Sequence, residues 1–246
     1  MKKLLKEPTV PESNIDKKNV KEENKELFNQ IANEQDTMYA QAKHGLLVVL
    51  QGLDASGKNS ATKKIFRKVN PMGLKVKGFA QPTEIELQHD FLWRVHKHAP
   101  RKGMVQIFNR SHYEDVTVTR VKDLIDDKTA EKRFAHINHF EDLLKSSGIT
   151  VLKFYLHVSE EEQKKRFKKR LMRPDKHWKF SEDDFLSTQH REKFLDYYQQ
   201  VFDNCNKPFP WTIVPADKKW YARNIIAQKV LSTLQKLPLE YPDLKV

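Results

Sequence analysis

Leu46-Leu47-Val48-Val49-Leu50-Gln51-Gly52-Leu53-Asp54-Ala55-Ser56-Gly57-Lys58-Asn59-Ser60 decides the fold. A continuous apolar run, as expected of a strand covered on both faces, leads straight into G-x-x-x-x-G-K, and a helical pattern begins at Ser60. Strand, glycine loop, lysine and helix in that order form a phosphate-binding loop. The glycines let the backbone wrap a phosphate with its N–H groups inward, and the helix adds its positive end. Lys58 supplies a point charge, and Gly52, Ala55, Ser56, Gly57, Asn59 and Ser60 are the phosphate-binding positions around it. An ordinary strand-to-helix turn is the plainer alternative. With seven glycines in 246 residues, two at this spacing before a lysine are no accident of composition.

The flanking sequence keeps alternating. Strand candidates at 46–51, 75–79, 105–109, 150–156 and 212–215 are separated by helical stretches near 60–69, 84–98, 130–146, 160–171, 183–204 and 219–236. This alternation argues for βαβ units and predicts a three-layer α/β sandwich on a parallel five-stranded sheet. Ligands of such sheets sit beyond the carboxyl ends of the strands. Residues 1–20 are polar and aperiodic, an arm or a strap. A helical pattern over 21–43 carries Leu27, Ile31 and Met38. The expected division is an N-terminal arm and helix (1–44) and a main domain (45–246).

One cysteine, Cys205, excludes a disulfide framework and a Cys-rich zinc site. His136 and His139 lie three apart, with no third ligand in pattern. The longest apolar run is far short of the roughly 20 residues that cross a bilayer, and the opening Met1–Pro8 lacks the apolar core of a secretory signal. The expectation is a protein of a reducing cytoplasm with no membrane partner. Lys plus Arg number 45 against 33 Asp plus Glu, a net +12. Residues 1–44 hold eight of each sign, so the whole surplus lies in 45–246. An anionic partner follows (nucleotide, nucleic acid or another phosphate-rich molecule), unless the lysines are simply a solvated surface.

The loop departs from its pattern at Asn59, where a Ser or Thr would hold Mg²⁺. Asp54 is the nearest carboxylate to take over. At the end of the third strand, where an aspartate commonly holds the metal, stand Asn109 and then Arg110, which suits bidentate contact with phosphate oxygens. Glu114 and Asp115 follow, either as metal-holding acids or as first-turn acids of a helix.

Residues 164–179 carry nine basic side chains. On a helix, Arg166, Lys169, Arg170 and Arg173 share a face, with Phe167 and Leu171 as a narrow apolar stripe. Pro174 should end that helix and open a lid over about 164–182, with Lys176 and Lys179 extending the charge and Trp178 placed to stack on a base or anchor the lid. Such density of one sign calls for an anion, and arginines closing over phosphates are the expected electrostatic stabilisers.

Several stretches together resemble the polyphosphate kinase 2 family: Gly52–Lys58, Pro82-Thr83-Glu84 with His89–Arg94, Ile107–Val116, Lys168–Leu171 through Trp178–Ser181, and Pro210-Trp211 with Pro215–Arg223. The resemblance implies a P-loop kinase sandwich with a helical lid. It also implies inorganic polyphosphate as donor, adenine nucleotides as acceptors, Mg²⁺ held by Asp54, and a homo-oligomer, dimer or tetramer. Asn109 resembles the subgroup that uses AMP as well as ADP, since ADP-preferring members usually carry aspartate there. Pro82, Thr83, His89, Asp90 and Trp93 are then candidates for the acceptor pocket, although Trp93 is equally explained as core and Asp217 as a helix cap.

The chemistry coheres. A nucleotide phosphate is largely ionised at neutral pH, its second pKa being near 6. No general base is required, and positioning with charge neutralisation carries the rate. Both bonds exchanged are phosphoanhydrides, so the reaction should reverse readily. An ATP-dependent nucleotide kinase of thymidylate-kinase type shares the loop and lid. A non-enzymatic nucleic-acid binder shares the charge, although nucleic acid is not the expected partner.

Overall fold

The computed structural model describes residues 4–179 and 183–244. Residues 180–182 of the expected lid, and the side chains of Lys176, Trp178 and Lys179, lie outside the described residues. Five strands, β1 (Gly45–Gln51), β2 (Leu74–Gly78), β3 (Val105–Asn109), β4 (Ile149–His157) and β5 (Trp211–Pro215), form one sheet in the order β2-β3-β1-β4-β5. Every pairing is parallel. The helices are α1 (Lys17–Gln41), α2 (Lys58–Ile65), α3 (Glu84–Leu87), α4 (Trp93–His96), α5 (Val118–Val121), α6 (Asp127–Ser146), α7 (Glu160–Leu171), α8 (Asp183–Gln189), α9 (Arg191–Asn204) and α10 (Lys219–Leu234). Among the described residues no helix is long and apolar enough to cross a membrane.

Successive side chains of a strand point to opposite faces, and β1 feeds two cores in this way. Leu46, Val48 and Leu50 pack with Ile65 of α2 and Ile226 and Val230 of α10. Leu47 and Val49 pack with Phe134 and Ile137 of α6 and Phe202 of α9. The sheet is therefore the middle of three layers, and β1, buried along its whole length, delivers the loop that follows it to the centre of the carboxyl edge.

The boundary expected at residue 44 is not a break in packing. Asp16 caps α1 by accepting from Lys18 N and Asn19 N, and the helix lies along α10 with Leu27, Ile31 and Met38 inside the first core. The arm before it is a strap on its own domain. Leu4 is 1% exposed in the second core, its N–H donates to Gln199 Oε1 at 2.7 Å, and Thr9 O accepts from Asp217 N at 2.9 Å.

Two expected long helices are each divided. Over 84–98, Thr83 and Glu86 form a reciprocal capping box that starts α3, and Asp90 then accepts from Leu92 N and Trp93 N to restart the chain as α4. Over 183–204 the break falls at His190. The chain after β3 is a tight 3-10 turn, His112–Val116, capped by Ser111.

That turn rests on a buried ion pair. Lys153 Nζ of β4 donates to Glu141 Oε2 of α6 at 2.6 Å and to Cys205 O at 2.8 Å, and both charged side chains have no exposure. The Tyr113 hydroxyl donates to Glu141 Oε1 at 2.7 Å, which ties the turn to the pair. Removing one partner strands a charge in the core, whereas removing both strands only the neutral Tyr113 hydroxyl and Cys205 carbonyl. Lys153→Met should lower the unfolding free energy in urea by about 3–5 kcal/mol, and the double variant Glu141→Leu/Lys153→Met should regain most of the loss. A double variant as unstable as the single one would show that packing, not the unpaired charge, sets the cost.

Candidate active site

The phosphate loop is built on left-handed backbone. Gly52 leaves β1 at φ 138°, Ala55 has φ 59° and Gly57 has φ 116°. A Cβ on Gly52 would lie 2.7 Å from Leu156 O, so close approach to β4 demands glycine there as much as its φ does. Lys58 opens α2 with its side chain buried, and Nζ donates to Gly52 O at 2.6 Å and Leu53 O at 3.2 Å. Burial pushes the lysine down to about 8, with Asp54 working to hold the proton on and Arg110 to remove it.

Arg110 meets this loop from the end of β3. Its φ of 62° turns the side chain back over the loop, where Nη2 donates to Asp54 Oδ1 at 2.6 Å. Left-handed backbone at a bulky residue is a strain that concentrates at functional sites. Glu114, and then Asp54, hold the guanidinium firmly protonated against its burial. Burial raises the Glu114 carboxyl, while Arg110 and Lys58 pull it back down. Gln51 bonds Ser111 Oγ at 3.0 Å and the Tyr198 hydroxyl at 3.1 Å. With its amide nitrogen turned inward it also donates to Glu114 Oε1 at 2.9 Å. Gly52, Asp54, Arg110 and Glu114 thus border one cleft, walled by Val118, Leu186, Phe194 and Tyr198. Composition and motif spacing pointed to none of these walls, because α8 and α9 reach the loop only through the tertiary fold.

The two asparagines that replace expected metal ligands touch each other, Asn109 Nδ2 donating to Asn59 Oδ1. Ser60 Oγ accepts from Arg223 at 2.6 Å, and Ser56 is buried beneath the loop. Asp115 does not join the loop. It is buried against Arg94, 3.3 Å from Nη2, and its carbonyl accepts from Arg133 at 2.8 Å. It is a first-turn acid of the 3-10 turn, and its pairing with Arg94 anchors the α3–α4 segment to that turn.

The basic helix α7 spreads its charges over several jobs. Arg166 is buried and turned inward, its five donor contacts all on protein oxygens: Glu162 Oε1 and the carbonyls of Ala55, Ser56, Ala216 and Asp217. It does not share an outward phosphate-facing surface with the others, which corrects the expected single face. Lys169 is exposed and close enough to perturb Lys219. Arg170 lies over Phe167 and its charge is felt at Lys58. Arg173 is exposed and paired with Asp175. Leu171, expected in the apolar stripe with buried Phe167, is instead 53% exposed.

The acceptor candidates follow β2 at the same carboxyl edge. Thr83 and Asp90 serve as helix caps, Pro82 is half-buried and His89 exposed. Trp93 is half-buried rather than core, with the His89 ring stacked on it at 3.9 Å and Lys97 Nζ 2.8 Å from its centroid. Asp217 is no cap of α10. Its carboxylate accepts from Ser159 N at 2.8 Å, before α7.

Comparison with known proteins agrees with this arrangement. The model of the family "Polyphosphate kinase 2" matches residues 14–241. The "AMP/ADP-polyphosphate phosphotransferase" of Meiothermus ruber is 43% identical over 210 residues, covering 85% of this chain and 79% of the relative. The "ADP-polyphosphate phosphotransferase" of Rhodopseudomonas palustris is 36% identical over 222 residues, covering 85% and 77%. The crystal structure of polyphosphate kinase 2 from Arthrobacter aurescens superposes with a TM-score of 0.91 at 36% identity, over 98% of this chain and 86% of that one. A phosphate loop, an inward arginine after β3 and a match along nearly the whole chain converge, and the chain belongs to the polyphosphate kinase 2 family.

Proposed function

We propose that the chain moves the terminal phosphate of inorganic polyphosphate onto ADP and AMP, reversibly and with Mg²⁺. One observation carries the reading: Arg110, Asp54 and Glu114 line one cleft at the carboxyl ends of the sheet, with Lys58 buried beside them and within reach of their charge, in a family whose relatives bear polyphosphate phosphotransferase names. The loop amides and Lys58 hold the donor, and Arg110 presents its fork to the group in transfer. The segment 80–96 orients the acceptor, whose phosphate attacks already ionised, so no side chain has to take a proton. Asp54 and Glu114 fit Mg²⁺, which binds one or two carboxylates and completes its shell with waters and phosphate oxygens. Bound there, the ion would neutralise charge on the phosphoryl oxygens. We include homo-oligomerisation and residence in a reducing cytoplasm. The first draws on surfaces other than the buried face of α1, and the second accords with a lone thiol, Cys205, buried and pushed up to about 12.

Incubating the chain with Mg²⁺, long-chain polyphosphate and AMP or ADP should yield ADP and ATP. Folded protein that gives neither, yet phosphorylates a nucleotide with ATP as sole donor, would instead be the ATP-dependent kinase.

Lys58→Ala should cost about 10²–10³-fold in kcat, the range for losing one preorganised charge at a transition state, with the thermal unfolding curve retained. A nucleic-acid binder would be indifferent to that change in any turnover assay.

Because burial favours the neutral amine, the free enzyme loses the Lys58 cation above pH about 8. The kcat/KM for polyphosphate should therefore fall above that pH, while the limb in kcat moves higher, since a bound polyanion retains the proton. A kcat/KM profile flat to pH 9.5 would remove Lys58 from the donor site.

A further inference from the structure

Arg166 stands in the most basic stretch of the chain, yet its guanidinium contacts none of the cleft's acids. Nη1 donates to Ala55 O at 3.0 Å and Ser56 O at 2.7 Å, Nη2 to Ala216 O at 2.7 Å and Asp217 O at 3.0 Å, and Nε to Glu162 Oε1 at 2.8 Å. A planar fork with five donors is the side chain that can span two separate pairs of carbonyls. The consequence lies in the peptide plane. In a trans peptide the C=O of one residue and the N–H of the next point in opposite directions. Fixing the Ser56 carbonyl on the guanidinium therefore aims Gly57 N–H at the opposite side of the loop. Gly57 itself, at φ 116°, keeps its backbone close under the arginine, and a Cβ there would lie 3.6 Å from Nη1.

We propose that Arg166 is a positioning residue that sets the orientation of the Ser56–Gly57 peptide, and so the aim of the Gly57 N–H at the donor phosphate, from its seat at the base of the lid, while its bond to Ala55 O braces a peptide whose own N–H is spent on Leu53 O at 3.1 Å. The inference rests on the proposed polyphosphate site. The same guanidinium couples that loop to the exit of β5, where Asp217 N is bonded to Thr9 O of the N-terminal strap and its carboxylate to Ser159 N before α7. Loop, lid base and strap are thereby one hydrogen-bonded body.

Arg166→Lys tests this because it keeps the charge and loses the fork. With AMP saturating, kcat/KM for polyphosphate should fall at least about tenfold, KM for AMP should stay within about twofold, and the salt dependence of donor binding should keep its slope, since no cation facing the donor is removed. Glu162→Ala, which removes the acceptor of Nε alone, should move the same donor parameter in the same direction by a smaller factor. If Arg166→Lys matches the parent in donor kinetics, a charge without the fork suffices at that position and the proposal falls. Should Arg166→Lys fail to fold, Glu162→Ala decides alone: a donor-specific loss supports the proposal and unchanged donor kinetics overturn it. Affinity for inorganic tripolyphosphate, measured by calorimetry on the same proteins, gives the comparison without turnover. A parent chain that binds tripolyphosphate but transfers nothing would then count against the proposed reaction alone.

Discussion

Gly52 has to pass Leu156 O where no Cβ fits, and the rest of the site depends on that passage. β1 lies at the centre of a sheet buried on both faces, so its position is set by two cores at once. The chain leaving it turns through left-handed backbone at Gly52, Ala55 and Gly57 before α2 can begin. Ala55 carries a methyl group in that conformation at a cost that surrounding contacts must offset. They do: its carbonyl is gripped by Arg166 and the neighbouring Asp54 carbonyl accepts from Gln163 at 3.0 Å, both on α7. The loop's shape is a tertiary property, held from the lid helix as much as from its own glycines.

The distribution of arginine follows from the same constraint. A surplus of +12 invites the picture of a surface evenly charged for a polyanion, yet several arginines are buried and committed to protein oxygens. Arg94 binds Ala80 O and Asp115, Arg120 binds Asp127 and Gln200, and Arg191 binds Gln163 and Val158 O. A guanidinium cannot shed its proton, and buried it must find acceptors. Side-chain oxygens and the main-chain carbonyls of Ala80 and Val158 provide them. What these arginines do is brace the irregular backbone around the carboxyl edge, and the charge meant for a ligand falls to fewer groups.

That division explains what was legible in the sequence. Three strands, β1, β3 and β4, were legible as apolar runs because burial on both faces leaves that mark directly in the residues, while the more exposed edge strands β2 and β5 were legible only from their place between helical periods. The phosphate loop was legible because its glycines and lysine are contiguous. The role of Arg166 was not: helical periodicity assigns a residue to a face but is silent on whether that face meets solvent or carbonyls. Asp115 and Glu114, adjacent in sequence, part company because a 3-10 turn sends neighbours in different directions, and α3 and α4 read as one helix because Asp90 ends one and caps the next. Tyr198 and Phe194 line the cleft from a helix whose period speaks only for burial.

The replacement of both expected metal-holding positions by asparagine has a structural counterpart that bears on the proposed chemistry. Asn59 and Asn109 spend side-chain groups on each other, which ties α2 to the end of β3. The carboxylates meanwhile stand one step aside, Asp54 inside the loop and Glu114 in the turn, each under the charge of Arg110. Burial drives Glu114 toward its protonated form, and the like charge of Asp54 adds to that push while Arg110 and Lys58 oppose it. A divalent cation between these acids would relieve both effects at once, while an amide at position 109 adds no third negative charge to compete with an incoming polyphosphate. The asparagines thus leave the negative charge of the site to two residues, and a site of that charge suits an ion that takes most of its remaining ligands from phosphate oxygens and water.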